Sequence, residues 1–208
     1  RELREELLEE GVVISGDKEV VDLFCVLMPE VIPEFVEGLT VRTHTFFMND
    51  QQRKQVAEME LSAPDGFELS EPVKSDAQLI HDSWLYGTSF ERTWNYAERL
   101  LAVVVREKAS GDAASWALMR AFGMPSHLFT LERFRGRGLG FFVEHAFAQK
   151  GIRDGYGVFK NINDKNSSVE RGTLASPLWT LWKTATGESR FMVFKHFHTK
   201  DKAPRFNS

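Results

Sequence analysis

The most regular apolar pattern in the chain lies in its second half, directly behind a glycine-rich stretch. Five apolar residues there follow the spacing i, i+3, i+4, i+7, i+8, which is typical of one face of an α-helix. They are Leu139, Phe142, Val143, Ala146 and Phe147. We therefore predict an amphipathic helix that begins where the glycines end.

Short apolar runs of β-type precede this helix. Two of them, within "AVVVREKASGDAASWALMRAF", flank the turn residues Ser110-Gly111-Asp112 and predict a β-hairpin. "SHLFTL" follows as a further strand, and "FELSEPV" predicts an earlier one. Between them, "SDAQLIHDSW" and "TSFERTWNYAERLLA" open with capping residues and predict helices.

The remaining pattern completes an alternation of strands and helices. "YGVFKNI", "LWTLWKTA" and "SRFMVFKHFH" predict strands, and "NDKNSSVERGTLAS" predicts a helix. Helices on both sides of a run of strands indicate an α/β fold with a mixed sheet.

The first 64 residues predict a separate part of the molecule. Leu3, Leu7 and Leu8 lie at helical spacing, and Gly11 is a plausible stop. "GLTVRTHTFFMN" predicts a strand, "DQQRKQVAEMEL" a helix, and "SAPDG" a break. We therefore predict two domains, 1–64 and 65–208.

Composition narrows the possible functions. The 208 residues are 42% apolar and 27% charged, with a net charge of −4. An acidic balance without a long Lys/Arg block gives no electrostatic reason to bind nucleic acid, and no apolar run approaches the roughly 18 residues of a membrane span. A single cysteine without a His/Cys cluster predicts neither a disulfide nor a bound metal.

The glycine-rich stretch "RFRGRGLG" predicts an anion site. Backbone N–H groups at a helix N-terminus lack partners and carry partial positive charge, and glycine lets a phosphate approach them closely. Arg133, Arg135 and Arg137 add charge that suits a diphosphate. The stretch fits neither the phosphate loop GxxxxGK[ST] nor the dinucleotide motif GxGxxG.

The strand, RxxGxG, helix order resembles the glycine N-acyltransferase group of the GNAT superfamily. In "DAASWALMRAFGMPSHLFTLERFRGRGLG", the residues that match the group's pattern are Ser115, Trp116, Leu118, Thr130, Leu131, Glu132, Arg135, Gly136, Gly138 and Gly140. Upstream, Trp84, Tyr86 and Gly87 match a second segment. The resemblance implies a mainly antiparallel GNAT sheet flanked by helices, preceded by a partial, degenerate GNAT-like half in residues 1–64.

The resemblance also implies an acyl-CoA site. The residues it assigns to that site are Thr130, Leu131, Arg135, Gly136, Arg137, Gly138, Leu139 and Gly140, with Asn166 and Ser168 at the start of the next helix. Loop amides and Arg135 are expected to hold the pyrophosphate, and an amide of Thr130-Leu131 to polarise the thioester carbonyl. Asn166 and Ser168 are expected either to cap their helix or to contact the pantetheine arm.

A general base is less clearly indicated. The glutamate that many family members use falls at Met124, which cannot take a proton. His127 lies on the same predicted strand and has a suitable intrinsic pKa, so it is one candidate. A structural role for His127, with a water chain deprotonating the amine, is the other interpretation.

These features predict an N-acyltransferase that moves an acyl group from CoA to glycine or another small amino acid. An acetyltransferase for a protein or polyamine amine, and a non-catalytic acyl-CoA-binding module, are the alternatives. The chain begins with Arg1 rather than Met, so we expect the native N-terminus to be missing. The resemblance implies a mitochondrial or cytoplasmic location.

Overall fold

A computed structural model describes Glu5 and residues 7–9, 11–84, 89–120 and 123–201. Within these residues the strands are Val12–Asp17 (β1), Phe35–Phe47 (β2), Phe67–Ser70 (β3), Ala102–Glu107 (β4), Ala113–Met119 (β5), Pro125–Thr130 (β6), Phe159–Asn163 (β7), Thr180–Leu181 (β8) and Phe191–Thr199 (β9). The helices are Lys18–Val31 (α1), Asp50–Glu58 (α2), Ala77–Asp82 (α3), Phe90–Arg99 (α4), Leu139–Arg153 (α5) and Ser167–Ala175 (α6).

The strands form two sheets. One has the order β3-β4-β5-β6, with antiparallel pairing throughout. The other has the order β1-β9-β2-β7, with β8 paired to β2. The predicted α/β architecture of mainly antiparallel strands flanked by helices is thereby confirmed.

Contacts divide the chain into two compact units, each built from separate segments. One unit comprises 1–46, 161–176 and 181–208, and the other comprises 47–160 and 177–180. The predicted domains, 1–64 and 65–208, were drawn from the sequence pattern and a resemblance, so that division stays a prediction. We call the second unit the loop unit, because it contains the glycine-rich stretch.

Successive side chains of β4 point to opposite faces of the sheet, so the loop unit has an apolar core on each face. Val103 and Val105 pack with Leu139, Phe142, Val143 and Phe147 of α5, which is the apolar face that the spacing predicted. Ala102 and Val104 point the other way, toward Ile80 of α3 and Ala97 of α4. Each fully buried Val, Leu or Phe side chain contributes about 1.5–3 kcal/mol, so α5 is fixed firmly on the sheet.

The other unit begins as predicted and then adds an unpredicted strand. Glu5 and residues 7–9 are helical, and the Gly11 N–H donates to Leu7 O at 2.9 Å where the predicted helix stops. β1, which was not predicted, follows Gly11 and pairs with β9, and α1 follows directly after β1. β-branched Val12, Val13 and Ile14 favour the strand. Met28 and Ile32 then pack on Phe35 and Phe197 to bury one face of α1.

Candidate active site

The glycine loop connects the end of β6 to the start of α5. Its first turn is held by three backbone bonds: Leu131 N–H donates to Ala114 O (3.0 Å), Phe134 N–H to Leu131 O (2.9 Å) and Arg135 N–H to Glu132 O (3.1 Å). Phe134 is buried and meets Phe67 edge to face at 5.6 Å between ring centroids. This aromatic anchor fixes the loop to the core just before its glycines.

Two glycines of the loop have backbone angles that other residues avoid. Gly136 has φ of 74° and Gly138 has φ of 81°, both in the left-handed region. A Cβ atom would meet no heavy atom within 4 Å at Gly136 and only Pro64 Cγ, at 3.9 Å, at Gly138. The glycines are therefore required by conformation, and the space beside them is open to a ligand.

A row of backbone donors follows from this conformation. Gly138 is the N-cap of α5, and its carbonyl accepts the N–H of Phe142 at 3.1 Å. The N–H groups from Gly136 to Phe141 find no acceptor among the described residues. Because a helix N-terminus also carries partial positive charge, this row can bind a phosphate or diphosphate.

The three loop arginines are not equivalent. Arg133 donates to Asp112 Oδ2 at 3.2 Å, so a carboxylate already neutralises it. Arg135 donates through Nε to Thr130 O at 3.1 Å, and the Arg137 guanidinium lies 5.6 Å from the Phe134 ring. Within the described part of the chain, neither Arg135 nor Arg137 has a carboxylate in salt-bridge distance. These two exposed guanidinium groups are the ones available to an incoming anion.

Strand register decides which amide at the end of β6 is available. Ser115 lies opposite Thr130, and the adjacent bond from Leu131 N–H to Ala114 O makes this a pair without mutual backbone hydrogen bonds. The Thr130 N–H therefore points away from β5, toward the open edge of the four-stranded sheet. Of the two predicted residues, Thr130 offers a free N–H to a thioester carbonyl and Leu131 does not.

His127 lies at an irregularity in the same strand. The register shifts between Trp116 and Leu118, and His127 has φ of 48°, a left-handed value that is strained for a residue with a side chain. Its Nε2 is 3.1 Å from Ile80 O and 3.0 Å from Ser83 Oγ. Because a carbonyl only accepts, Nε2 carries the proton and Nδ1 keeps the lone pair.

The surroundings of His127 change its basicity. Its ring stacks on Trp84 at 5.0 Å and 12°, and also on Phe129 at 5.7 Å. Burial, with a smaller contribution from the Arg120 charge, lowers the pKa of His127 to about 3, although the Ile80 carbonyl acts in the opposite direction. The imidazole is neutral at pH 7 but accepts a proton weakly. Met124, at the position of the family glutamate, is buried.

The two predicted residues outside the loop belong to the other compact unit. Asn166 caps α6, with Oδ1 accepting the Val169 N–H at 3.4 Å. Ser168 is exposed in the first turn of that helix. Capping by Asn166 is confirmed, and a contact of either residue with pantetheine stays a prediction. Tyr86 and Gly87, from the upstream match, lie outside the described residues.

An open cleft of about 780 Å³ borders the start of the loop at Leu131–Arg133. Its charged walls are already paired: Arg106 binds Asp76 at 2.9 Å, and Arg133 binds Asp112. An anion would therefore meet fewer unpaired positive charges on the cleft walls than at the glycine loop.

The described residues contain no group of three or more His, Cys, Asp or Glu side chains arranged to hold a metal ion. None of their helices is both long enough and apolar enough to cross a membrane.

Part of the chain is similar in sequence to known proteins. The profile of the family described as FR47-like protein matches residues 103–171, which include the whole glycine loop. Glycine N-acyltransferase of Bos taurus is 28% identical over 114 residues, which cover 52% of this chain and 37% of the bovine protein. The aligned part is thus well under half of that relative.

Solved structures share the fold. A Drosophila protein superposes with a TM-score of 0.70 at 16% identity, over 91% of this chain and 61% of the other. A GCN5-related N-acetyltransferase from Kribbella flavida gives 0.54 at 14% identity, over 93% and 72%. The chain is thus similar in sequence to FR47-like protein and to glycine N-acyltransferase, and it shares its fold with GCN5-related N-acetyltransferases.

Proposed function

We propose that this protein is an acyl-CoA-dependent N-acyltransferase that transfers the acyl group to the amine of glycine or another small amino acid. The observation that carries the proposal is the row of open N–H groups from Gly136 to Phe141, flanked by Arg135 and Arg137. Diphosphate binding there would place the thioester along the edge of β6. The similarity to bovine glycine N-acyltransferase supports the choice of acceptor.

The reaction that this site would support is a direct acyl transfer. The amine nitrogen attacks the thioester carbonyl carbon, the new C–N bond replaces the C–S bond, and CoA leaves as its thiol. The Thr130 N–H, pointing to the open edge, would donate to the carbonyl oxygen as negative charge develops on it. The proton lost by the amine goes to His127 Nδ1 or to water, and the departing thiolate takes up a proton from water to become the thiol.

The pKa of His127 favours water as the proton acceptor. A base with a pKa near 3 takes up little of a proton from an amine at neutral pH, because the most effective catalytic pKa lies near the working pH. We therefore expect His127→Ala to lower turnover less than tenfold. A loss of 100-fold or more, as expected for removal of a general base, would assign that role to His127.

Release of CoA thiol tests the proposal. Acetyl-CoA and benzoyl-CoA are offered with glycine, other amino acids, a polyamine and a peptide. Turnover with glycine or another small amino acid supports the proposal. Turnover confined to the polyamine or the peptide contradicts it in favour of an acetyltransferase for those amines.

A non-catalytic acyl-CoA-binding module is the second candidate. It is favoured by Met124 at the position of the family base and by the weak basicity of His127. CoA binding without thiol release from any acyl-CoA and amine pair would establish this alternative.

Mitochondrial residence is part of the proposal that the protein conjugates glycine.

A further inference from the structure

One large aromatic side chain lies exposed beside the open N–H groups of the glycine loop. Phe141 is in the first turn of α5, and its own N–H is the last of that row. Phe141 is 56% exposed, whereas Phe142, the next residue of the helix, is 5% exposed. A single exposed apolar residue is ordinary on a protein surface, but this one borders an anion site. Its ring can therefore contact another part of the ligand whose phosphates the loop would bind.

A buried histidine holds the Phe141 ring in place. His145 lies one turn further along α5, is 1% exposed, and has its ring centroid 4.0 Å from that of Phe141, with the ring planes inclined by 33°. Its Nδ1 donates to Phe141 O at 2.7 Å, which fixes the imidazole against the phenyl ring. The imidazole thus supports one side of the ring and leaves the rest exposed.

Packing alone does not account for a histidine at this position. The Nε2 atom of His145 is buried and finds no hydrogen-bond partner among the described residues. A leucine would fill the same place without leaving a buried polar atom unpaired, which costs free energy. The histidine differs from leucine in its flat ring and its Nδ1 bond, and both orient Phe141.

The side of α5 on which Phe141 lies indicates which part of the ligand it meets. A Cβ atom on Gly140 would lie 3.8 Å from Thr130 Oγ1, so Gly140 faces the end of β6. Successive helical residues are rotated by about 100°, so Phe141 faces a different side. The diphosphate of CoA joins two arms, and under the proposed function the pantetheine arm follows β6. The nucleotide arm is therefore the one that can reach Phe141.

The chemistry of the exposed ring selects the same arm. An aromatic face open to water stacks favourably with flat π systems, and nucleobases stack on such side chains with little dependence on their hydrogen-bonding pattern. Adenine is flat and aromatic, whereas the pantetheine arm contains no ring. We propose that the exposed face of Phe141 stacks on the adenine base of CoA, with His145 positioning the phenyl ring; this inference rests on the proposed function.

Ligands that share a diphosphate but differ in the base test this contact. We measure the dissociation constants of wild type, Phe141→Ala and Phe141→Trp for CoA, ADP and inorganic pyrophosphate. Phe141→Ala weakens CoA and ADP binding by about 5- to 20-fold, as expected for loss of a stacked base from an exposed ring, and changes pyrophosphate binding by less than about twofold. Phe141→Trp, which keeps an aromatic face, retains the preference for ADP over pyrophosphate.

The ratio of ADP to pyrophosphate affinity does not depend on how much of a variant is folded, because both ligands are measured on the same preparation. Tyr156→Ala is the matched control, because Tyr156 is an exposed aromatic residue just beyond the other end of α5. It leaves all three affinities unchanged.

Proton NMR of the bound nucleotide reports the stacking directly. The adenine resonances of CoA shift upfield on binding to wild type, because they lie over an aromatic ring, and Phe141→Leu abolishes this shift. His145→Leu reduces the shift, since the ring loses the Nδ1 bond that orients it, and changes pyrophosphate binding by less than about twofold.

Two results overturn the inference. One is equal weakening of ADP and pyrophosphate binding in Phe141→Ala, because Phe141 would then only support the loop. The other is the absence of an upfield adenine shift in the wild-type complex. Thiol release by the wild type alongside either result leaves the proposed function standing. A wild type that neither binds CoA nor releases thiol contradicts the proposed function itself.

Discussion

The two ends of strand β6 present different kinds of chemistry. At its end, the glycine loop offers backbone N–H groups and exposed arginines to solvent. Near its start, His127 is enclosed by Trp84 and Phe129, and Arg120 lies on the same Trp84 ring. The loop is thus defined by backbone conformation, and the surroundings of His127 by side-chain packing. Under the proposed function, the first end holds the coenzyme.

The largest expected effect is a loss of CoA affinity on substitution of Gly138 in the glycine loop. Gly138→Glu places a side chain at a left-handed position and a negative charge at the helix N-terminus, so the dissociation constant for CoA rises at least about 100-fold. Gly155→Glu is the matched control, because Gly155 also has a left-handed φ, of 80°, with open space around it. Isothermal titration with CoA should leave Gly155→Glu within about twofold of wild type.

Equal weakening in the Gly138→Glu and Gly155→Glu variants would mean that backbone strain, not the anion site, causes the loss. Wild-type affinity in Gly138→Glu would remove the loop from the coenzyme site.

The three loop arginines should contribute unequally to CoA binding. The double variant Arg135→Gln/Arg137→Gln should weaken CoA binding by about 10- to 30-fold, because two charge-assisted contacts to phosphate are lost from an exposed site. Arg133→Gln should change it less than about threefold, because Arg133 is occupied by Asp112. Titrations at two salt concentrations check the electrostatic origin, since screening reduces the difference.

Arg133, Gly136 and Gly138 also fit the RxxGxG spacing. The reverse order, with Arg133→Gln the more damaging change, would show that these three residues form the motif.

His127 should change how the free energy of unfolding depends on pH. The folded pKa of His127, about 3, is below the unfolded value of about 6.5, so the unfolded state binds more protons between these values. Stability is therefore lost as pH falls below about 6.5, by about 1.4 kcal/mol at pH 5.5. His127→Phe, which keeps an aromatic ring beside Trp84, should lose less stability over that range.

Urea unfolding of wild type and His127→Phe at pH 7.5 and 5.5 measures this difference. Parallel losses of unfolding free energy in the two proteins would show that His127 does not titrate abnormally.

The sequence allowed the loop to be predicted better than the chemistry beside it. Left-handed backbone angles favour glycine, so Gly136 and Gly138 indicated the loop in the sequence. The apolar spacing after them correctly predicted α5. The basicity of His127 depends on Ile80, Ser83 and Trp84, more than 40 residues away in the chain. No local pattern reports that enclosure.

Short strands were also predicted poorly from the sequence. β1 was missed because three β-branched residues lie between charged segments that favour helix. "LWTLWKTA" was predicted as a strand, but the strand comprises Thr180 and Leu181, which pair with β2, and Lys183 forms an isolated bridge with Ser189. Partner strands distant in sequence decide such pairing, and local propensity does not contain that information.

One measurement tests the central claim most directly. CoA is titrated into ¹⁵N-labelled protein, and backbone amide resonances are followed. We predict that the largest shifts fall on the amides from Gly136 to Phe141, because in the proposed complex these unpaired N–H groups bind the diphosphate. Saturable CoA binding that leaves those amides unshifted and moves resonances elsewhere would contradict it.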